Sequence, residues 1–287
     1  MKKIAWIGVG IMGKAMARNL MKAGYELHIY ARHPEKVTDI VAEGAVLHES
    51  IASCVQSAEA VITMVGFPQD VEEVYFAPGN ILDSAAPGTL VADMTTTSPT
   101  LAKKIAQLGE EKGLRVLDAP VTGGDVGAKA GTLSILVGGQ KADYEAALPL
   151  FAKMGTNITY FGAAGSGQHA KMANQIMIAG ALSGVCEALR YAKAEGLTLE
   201  TLVSAVATGA AGSKQLDFQG KKILENDFAP GFYMKHFVKD MKIAESEAEA
   251  AGLHLNILQT VLKNCETLVQ NGCGDLGTQA LIQFYEA

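Results

Sequence analysis

The chain has 287 residues, room for a sizeable core and, on length alone, about two domains. Hydrophobic residues make up 49% and charged residues 19%, a balance that excludes a disordered chain. With 24 Lys and Arg against 30 Asp and Glu, a formal net charge of −6 and no Lys/Arg-rich run, the chain carries no electrostatic footprint for nucleic acid. An acidic chain that handles an anion must gather positive charge locally, which draws attention to isolated Lys and Arg in apolar surroundings. Cys54, Cys186, Cys265 and Cys273 show no CxxC spacing, against a zinc site or disulfide framework, so no metal is expected.

From the start, Ile4–Val9 is apolar but punctuated by Gly8 and Gly10, too short for a signal peptide; the cytoplasm is the expected compartment. Short apolar runs then alternate with segments of helical period. Expected strands are Lys3–Ile7, Glu26–Tyr30, Ala60–Met64, Thr89–Ala92, Arg115–Ala119, Ser134–Val137 and Asn157–Phe161. Between them lie expected helices Met12–Ala23, Pro34–Glu43, Pro99–Lys112 and Ala142–Met154. This alternation predicts an α/β unit, a largely parallel, doubly wound sheet. Near Phe161 the pattern stops, and Gly162, Gly165 and Gly167 punctuate the chain. Beyond them helical spacing predicts Gly167–Glu195, Leu199–Ala207, Ser213–Glu225, Val238–Ala251 and Ile257–Asn271, an all-α unit. The expected domains are therefore residues 1–163 and 164–287. Ile176–Val185, the most apolar stretch, reads as a buried helix too short to span a membrane, and Gly180 and Gly184 read as a packing notch.

Gly8-Val9-Gly10-Ile11-Met12-Gly13 follows an apolar strand and opens a helix. In that context a GxGxxG loop points to a dinucleotide on a Rossmann-type sheet: two glycines admit the pyrophosphate, the third lets helix and strand pack, and the helix N-terminus attracts phosphate. The end of the second strand separates NAD from NADP. Tyr30-Ala31-Arg32-His33-Pro34-Glu35-Lys36 offers no acid for a ribose hydroxyl but has Arg32, with Lys36 one turn on, so NADP is preferred and NAD remains possible. The bland alternative is that Arg32 merely begins a solvated helix.

Lys171 is the one formal charge between Lys153 and Glu187, early in an apolar helix. Gln168, Asn174 and Gln175 share its helix face at i−3, i+3 and i+4. A buried lysine's pKa falls toward the working range, where it can pass a proton to or from an oxygen; the alternative is a lysine snorkelling from a packed helix. Asp118-Ala119-Pro120-Val121-Thr122-Gly123-Gly124 forms a second glycine-rich loop after a strand, either a cradle for a carboxylate or only a turn.

These segments together resemble the β-hydroxyacid dehydrogenase family, in particular 3-hydroxyisobutyrate dehydrogenase and the tartronate semialdehyde and glyoxylate/succinic semialdehyde reductases. The resemblance runs through Gly8–Gly13 with Asn19-Leu20, Asp118–Gly124 with Gly127-Ala128 and Gly131-Thr132-Leu133, Gly165-Ser166-Gly167-Gln168 leading to Lys171, Asn174 and Gln175, and Lys239-Asp240-Met241. It implies hydride transfer between a nicotinamide and a small hydroxy acid or semialdehyde, with Lys171 as general acid/base. It further implies that Asn174 and Gln175 orient the substrate while Thr122, Gly123 and Gly124 hold its carboxylate. Met64, Val65, Gly66 and Thr96 match cofactor-contact positions, and Lys239 matches a position near the nicotinamide. Thr122 stands where Ser is common, Gln175 where a second Asn is common, and Gly66 replaces a frequent Pro, which leaves the substrate's identity open. The all-helical second half, opened by an unusually apolar helix from Gly167, exposes too much apolar surface for one small domain to cover alone, so a homodimer or homotetramer is expected, with no membrane partner. A 6-phosphogluconate dehydrogenase has a longer C-terminal region, an imine reductase usually lacks this lysine, and a non-catalytic nicotinamide-binding module would not need Lys171, Asn174 and Lys239.

Overall fold

A computed structural model describes residues 1–286, which fall into two compact units, Met1–Lys171 and Met172 onward. In the first unit the strands are β1 (Lys3–Ile7), β2 (Glu26–Tyr30), β3 (Val46–His48), β4 (Ala60–Thr63), β5 (Leu90–Asp93), β6 (Arg115–Asp118), β7 (Val121–Thr122), β8 (Leu133–Gly139) and β9 (Gly155–Gly162). They form one sheet in the order β3-β2-β1-β4-β5-β6-β8-β7, with β9 paired to β8. From β3 to β6 every pairing is parallel, the doubly wound arrangement whose strand order reverses at β1 and β4.

The reason is visible in β1. Ile4, Ala5, Trp6 and Ile7 are all buried; Ile4 and Trp6 pack into one apolar cluster, Ala5 and Ile7 into another. Side chains alternate across a strand, so a continuous apolar run is what a sheet covered on both faces requires. Each fully buried Ile or Leu contributes roughly 1.5–3 kcal/mol of transfer free energy. The covering helices are α1 (Ile11–Lys22), α2 (Thr38–Ala42), α3 (Ile51–Val55), α4 (Pro68–Phe76), α5 (Ile81–Ser84), α6 (Pro99–Glu111), α7 (Gly124–Ala130) and α8 (Lys141–Phe151). Ser98 caps α6, accepting from Leu101 N at 3.0 Å, and Pro99 takes the first helical position.

Helix α9 (Ser166–Ala194) begins in the first unit and continues into the second, where α10 (Leu199–Val206), α11 (Lys221–Leu224), α12 (Met234–Ala250) and α13 (Asn256–Gln270) follow. Leu182, Cys186, Leu189, Phe237, Met241, Leu258 and Leu262 belong to the second unit's own core.

Several expectations need correction. The helix expected over Pro34–Glu43 is broken at Val37, whose φ of −123° ends a single 3-10 turn before α2 begins. The segment expected as a helix over Ser213–Glu225 is helical but not α throughout: Gln215–Gly220 is a π-helix that runs directly into α11. The expected Val238–Ala251 helix starts earlier, at Met234, because Met234, Phe237, Val238 and Met241 already form its buried stripe. At 29 residues α9 is long and apolar enough, by length and composition, to cross a membrane, so length alone does not exclude a span; much of its apolar surface is packed into the core. Gly180 and Gly184 make no tight notch within the chain. A side chain at Gly180 would only touch Ile257, at 3.8 Å, and one at Gly184 would meet open space.

Candidate active site

The Gly8–Gly13 loop lies where the strand order reverses, between the ends of β1 and β4. Gly8 has a φ of +98°, and a Cβ there would collide with the carbonyl of Met64, the residue after β4. A Cβ on Gly13 would collide with the Gly8 carbonyl and stand 3.1 Å from the Trp6 indole nitrogen, which itself donates to Gly8 O at 3.0 Å. These two glycines are thus required by internal packing. Gly10 differs: a Cβ there meets nothing within 4 Å, although it is the N-cap of α1. The space it leaves open, at a helix N-terminus, is where a pyrophosphate has to approach the backbone, and the residues present therefore fit a dinucleotide. A cleft lined by Val9, Gly10, Ile11, Lys14 and Lys36 continues from this point.

Two further loops flank it. Met64 N donates to Ile7 O at 2.9 Å and Val65 N donates to the Thr95 hydroxyl at 3.0 Å, so the turns after β4 and β5 are joined. Below them Asp93 is wholly buried; its Oδ1 accepts from Thr63 Oγ1 at 2.7 Å and from Thr95 N at 3.0 Å, and burial pushes its carboxyl up to about 6. Arg32 and Lys36 are both exposed, on the segment after β2. The Arg32 guanidinium lies 2.8 Å from Asp70 and 3.9 Å from Glu73, both on α4.

The second glycine loop follows the short strand β7. Gly123 and Gly124 have φ of +133° and +64°, a conformation that L side chains rarely adopt. Asn19 of α1 donates from its side-chain nitrogen to Ala128 O of α7 at 2.8 Å, tying the cofactor helix to the helix that this loop begins.

Lys171 is buried at 7% exposure, and its Nζ donates to Val121 O at 2.9 Å, one residue before Thr122. The start of α9 is fixed by Asp118, whose two carboxylate oxygens accept from Gly165 N at 2.7 Å and Gln168 N at 2.8 Å; burial raises this carboxyl and those hydrogen bonds lower it, the first effect being the larger. The structure thus places Lys171 beside the Thr122 loop. Asn174 lies one helical turn beyond Lys171, already in the second unit.

Within the second unit, Asn174 Nδ2 donates to Gln175 Oε1 at 2.8 Å, and Gln175 Nε2 donates to Asp240 Oδ2 at 2.6 Å. Lys239 Nζ lies 2.9 Å from the other oxygen of Asp240. Gln175 is 1% exposed with both ends of its amide occupied. Sequence reasoning put Asp240 in a motif without giving it a role; the signal available was a lone acid inside the buried stripe of α12.

A sheet of this order, with a glycine cradle at its reversal point and a lysine buried beside a second glycine loop, defines a nicotinamide-dependent oxidoreductase. Comparison with known proteins agrees. Residues 3–162 match the NAD-binding domain of 6-phosphogluconate dehydrogenase, and residues 165–285 match the NAD-binding domain of NADP-dependent 3-hydroxyisobutyrate dehydrogenase. An uncharacterized oxidoreductase of Bacillus subtilis, YkwC, is 46% identical over 99% of both chains. The 2-hydroxy-3-oxopropionate reductase of Escherichia coli is 37% identical, over 99% of this chain and 97% of its own. The solved 3-hydroxyisobutyrate dehydrogenase of Mycobacterium tuberculosis with L-serine superposes with a TM-score of 0.91 at 30% identity, covering all of both chains. The chain belongs to the β-hydroxyacid dehydrogenase family of 3-hydroxyisobutyrate dehydrogenase-like enzymes. It is an oxidoreductase that acts on the hydroxyl group of a small hydroxy acid.

Proposed function

We propose that the enzyme reduces a small semialdehyde or 2-oxo acid of the 3-hydroxyisobutyrate and 2-hydroxy-3-oxopropionate kind with NADPH, and catalyses the reverse oxidation. The observation that carries this reading is the buried Lys171 Nζ held against Val121 O, next in the chain to Thr122 and the backbone amides of the positive-φ glycines Gly123 and Gly124. Those amides and the Thr122 hydroxyl bind the substrate carboxylate. Lys171 Nζ then gives a proton to the carbonyl oxygen during reduction and takes it back during oxidation. A bound nicotinamide supplies the hydride to the carbonyl carbon, so aldehyde, reduced cofactor and one proton balance against alcohol and oxidised cofactor. Asn174 orients the substrate, and Gln175, held by Asp240, orients Asn174.

The phosphates rest on Gly8, Val9, Gly10, Ile11, Met12 and Gly13. Met64, Val65, Gly66 and Thr96 would contact the cofactor, and Lys239 would sit near the nicotinamide. NADP over NAD is supported by Arg32 and Lys36 and by the lack of an acid at the end of β2. Residues 1–163 carry the cofactor; residues 164–287 form an all-helical unit for substrate binding and oligomerisation, in a cytoplasmic homodimer or homotetramer. A panel of small semialdehydes and glyoxylate, each assayed with NADPH and NADH, tests the reading. It fails if none is reduced, or if turnover on all of them survives Lys171→Ala.

A further inference from the structure

Gln168 stands three residues before Lys171 in α9, and its side chain is wholly buried, at 0% exposure. Its Oε1 accepts from Thr97 N at 3.1 Å, and its Nε2 donates to Thr95 O at 2.7 Å. Two backbone groups of one loop, a donor and an acceptor, thus occupy both ends of a single primary amide. Only a side chain with one donor and one acceptor on the same carbon meets that pair. The residue's own backbone N–H is held by Asp118 at 2.8 Å. The first turn of α9 is therefore gripped twice, through its backbone from the end of β6 and through this side chain from the loop after β5. That loop is in turn stitched to the one after β4, through Val65 N and the Thr95 hydroxyl at 3.0 Å.

We infer that Gln168 is a positioning residue, which locks the helix carrying Lys171 to the Thr95–Thr97 loop and so fixes the proton-transferring ammonium relative to the cofactor-contact residues Val65 and Thr96. Hydride and proton arrive at the carbon and the oxygen of one carbonyl group. Their two sources must be registered to each other closely, since a displacement of about 1 Å costs on the order of 10²-fold in rate. A buried amide clamped at both ends is rigid enough for this, because breaking either bond strands a buried backbone group. The inference rests on the proton-transfer role proposed for Lys171.

The test compares Gln168→Glu, Gln168→Met and Lys171→Ala with the unaltered enzyme. When protonated, the introduced carboxyl keeps one donor and one acceptor and matches the loop; when ionised, it only accepts and faces the Thr95 carbonyl. Burial raises its pKa, as do the carboxylates of Asp93 on β5 and Asp118 on β6, whereas Lys171 on α9 lowers it. Turnover of Gln168→Glu, divided by that of the unaltered enzyme, should be within about threefold of unity near pH 5.5 and fall by roughly 10–100-fold by pH 8.5. Recovery on acidification also demonstrates that the chain is folded. Gln168→Met should stay low throughout, with cofactor affinity within about threefold and a deuterium isotope effect, from cofactor deuterated at the transferred position, larger than in the unaltered enzyme. A Gln168→Glu ratio that does not change with pH, or near-normal turnover in Gln168→Met beside a disabled Lys171→Ala, overturns the inference alone. Near-normal turnover in Lys171→Ala overturns the reading beneath it.

Discussion

The Lys171 ammonium and the Val121 carbonyl are joined by a hydrogen bond of 2.9 Å, although 50 residues separate them in the chain. The bond ties the lysine of α9 to the residue that precedes the Thr122–Gly124 loop.

The glycines of the cofactor loop should separate by function. Gly13→Ala sets a Cβ against the Gly8 carbonyl and the Trp6 indole, so it should destabilise the fold by about 2 kcal/mol or more. Gly10→Ala meets open space, with φ near −79°, and should cost only the N-cap preference of glycine over alanine, about 1 kcal/mol or less. It should nevertheless weaken cofactor binding at least about tenfold, because the added methyl stands where the pyrophosphate approaches. Thermal melts and fluorescence titration with NADPH measure the two effects; equal cofactor affinity in Gly10→Ala would contradict the assignment of the cradle.

Arg32 should set cofactor choice. Its guanidinium is 59% exposed and paired with Asp70 at 2.8 Å, so it can turn to a 2′-phosphate at the cost of a surface ion pair worth about 1 kcal/mol or less. Arg32→Asp should lower kcat/KM for NADPH and raise it for NADH, shifting their ratio at least about tenfold. Unaltered enzyme that uses NADH as well as NADPH would refute the preference.

How much of this was legible in the sequence differs from place to place. The strands β1, β2, β4, β5 and β6 announce themselves because each is built around buried apolar residues, as a strand covered on both faces requires, even though β2, β5 and β6 also carry the buried His28, Asp93 and Asp118. Edge strand β3 does not, since its Val46 and Leu47 are exposed and it is three residues long. The polar face of Gln168, Lys171, Asn174 and Gln175 can be read from helical spacing alone. Where each side chain goes cannot, because the partners lie 71–73 residues away for Gln168 and 65 for Gln175. Periodicity reports a face, whereas hydrogen-bond pairing depends on which loops the fold brings to it.

Asp93 should give a pH signature in stability. Burial raises its carboxyl from 3.8 to about 6 in the folded chain. The folded state therefore holds this proton more tightly than the unfolded chain, and the contribution to stability is full below pH 4 and lost as pH rises through about 6. That difference in proton affinity corresponds to about 3 kcal/mol. Asp93→Asn removes the titration, so its stability relative to the unaltered protein should climb between pH 4 and pH 6.5. Denaturant melts across that range measure it; a constant difference would contradict the raised value.

The second unit should associate with another copy of itself. Met177, Gly184 and Tyr191 recur every seven residues along α9, with Met177 68% and Tyr191 67% exposed, and Ile257 is exposed beside Gly180. An exposed apolar face of this kind marks an interface. Light scattering should give a dimer or tetramer at micromolar concentration, and Met177→Glu should lower the mass. A monomer in the unaltered protein would contradict this.

The central claim, that Lys171 transfers the proton, is tested most directly by the turnover of Lys171→Ala. Turnover should fall by roughly 10²–10⁴-fold, the scale of a positioned acid/base, while NADPH affinity is nearly unchanged because the Gly8–Gly13 loop is untouched. Lys171→Arg should fail as well, since a guanidinium remains protonated near neutral pH. Near-normal turnover in Lys171→Ala with only a raised KM would contradict the account. It would make Lys171 a carboxylate anchor and leave Lys239 as the next candidate for the proton.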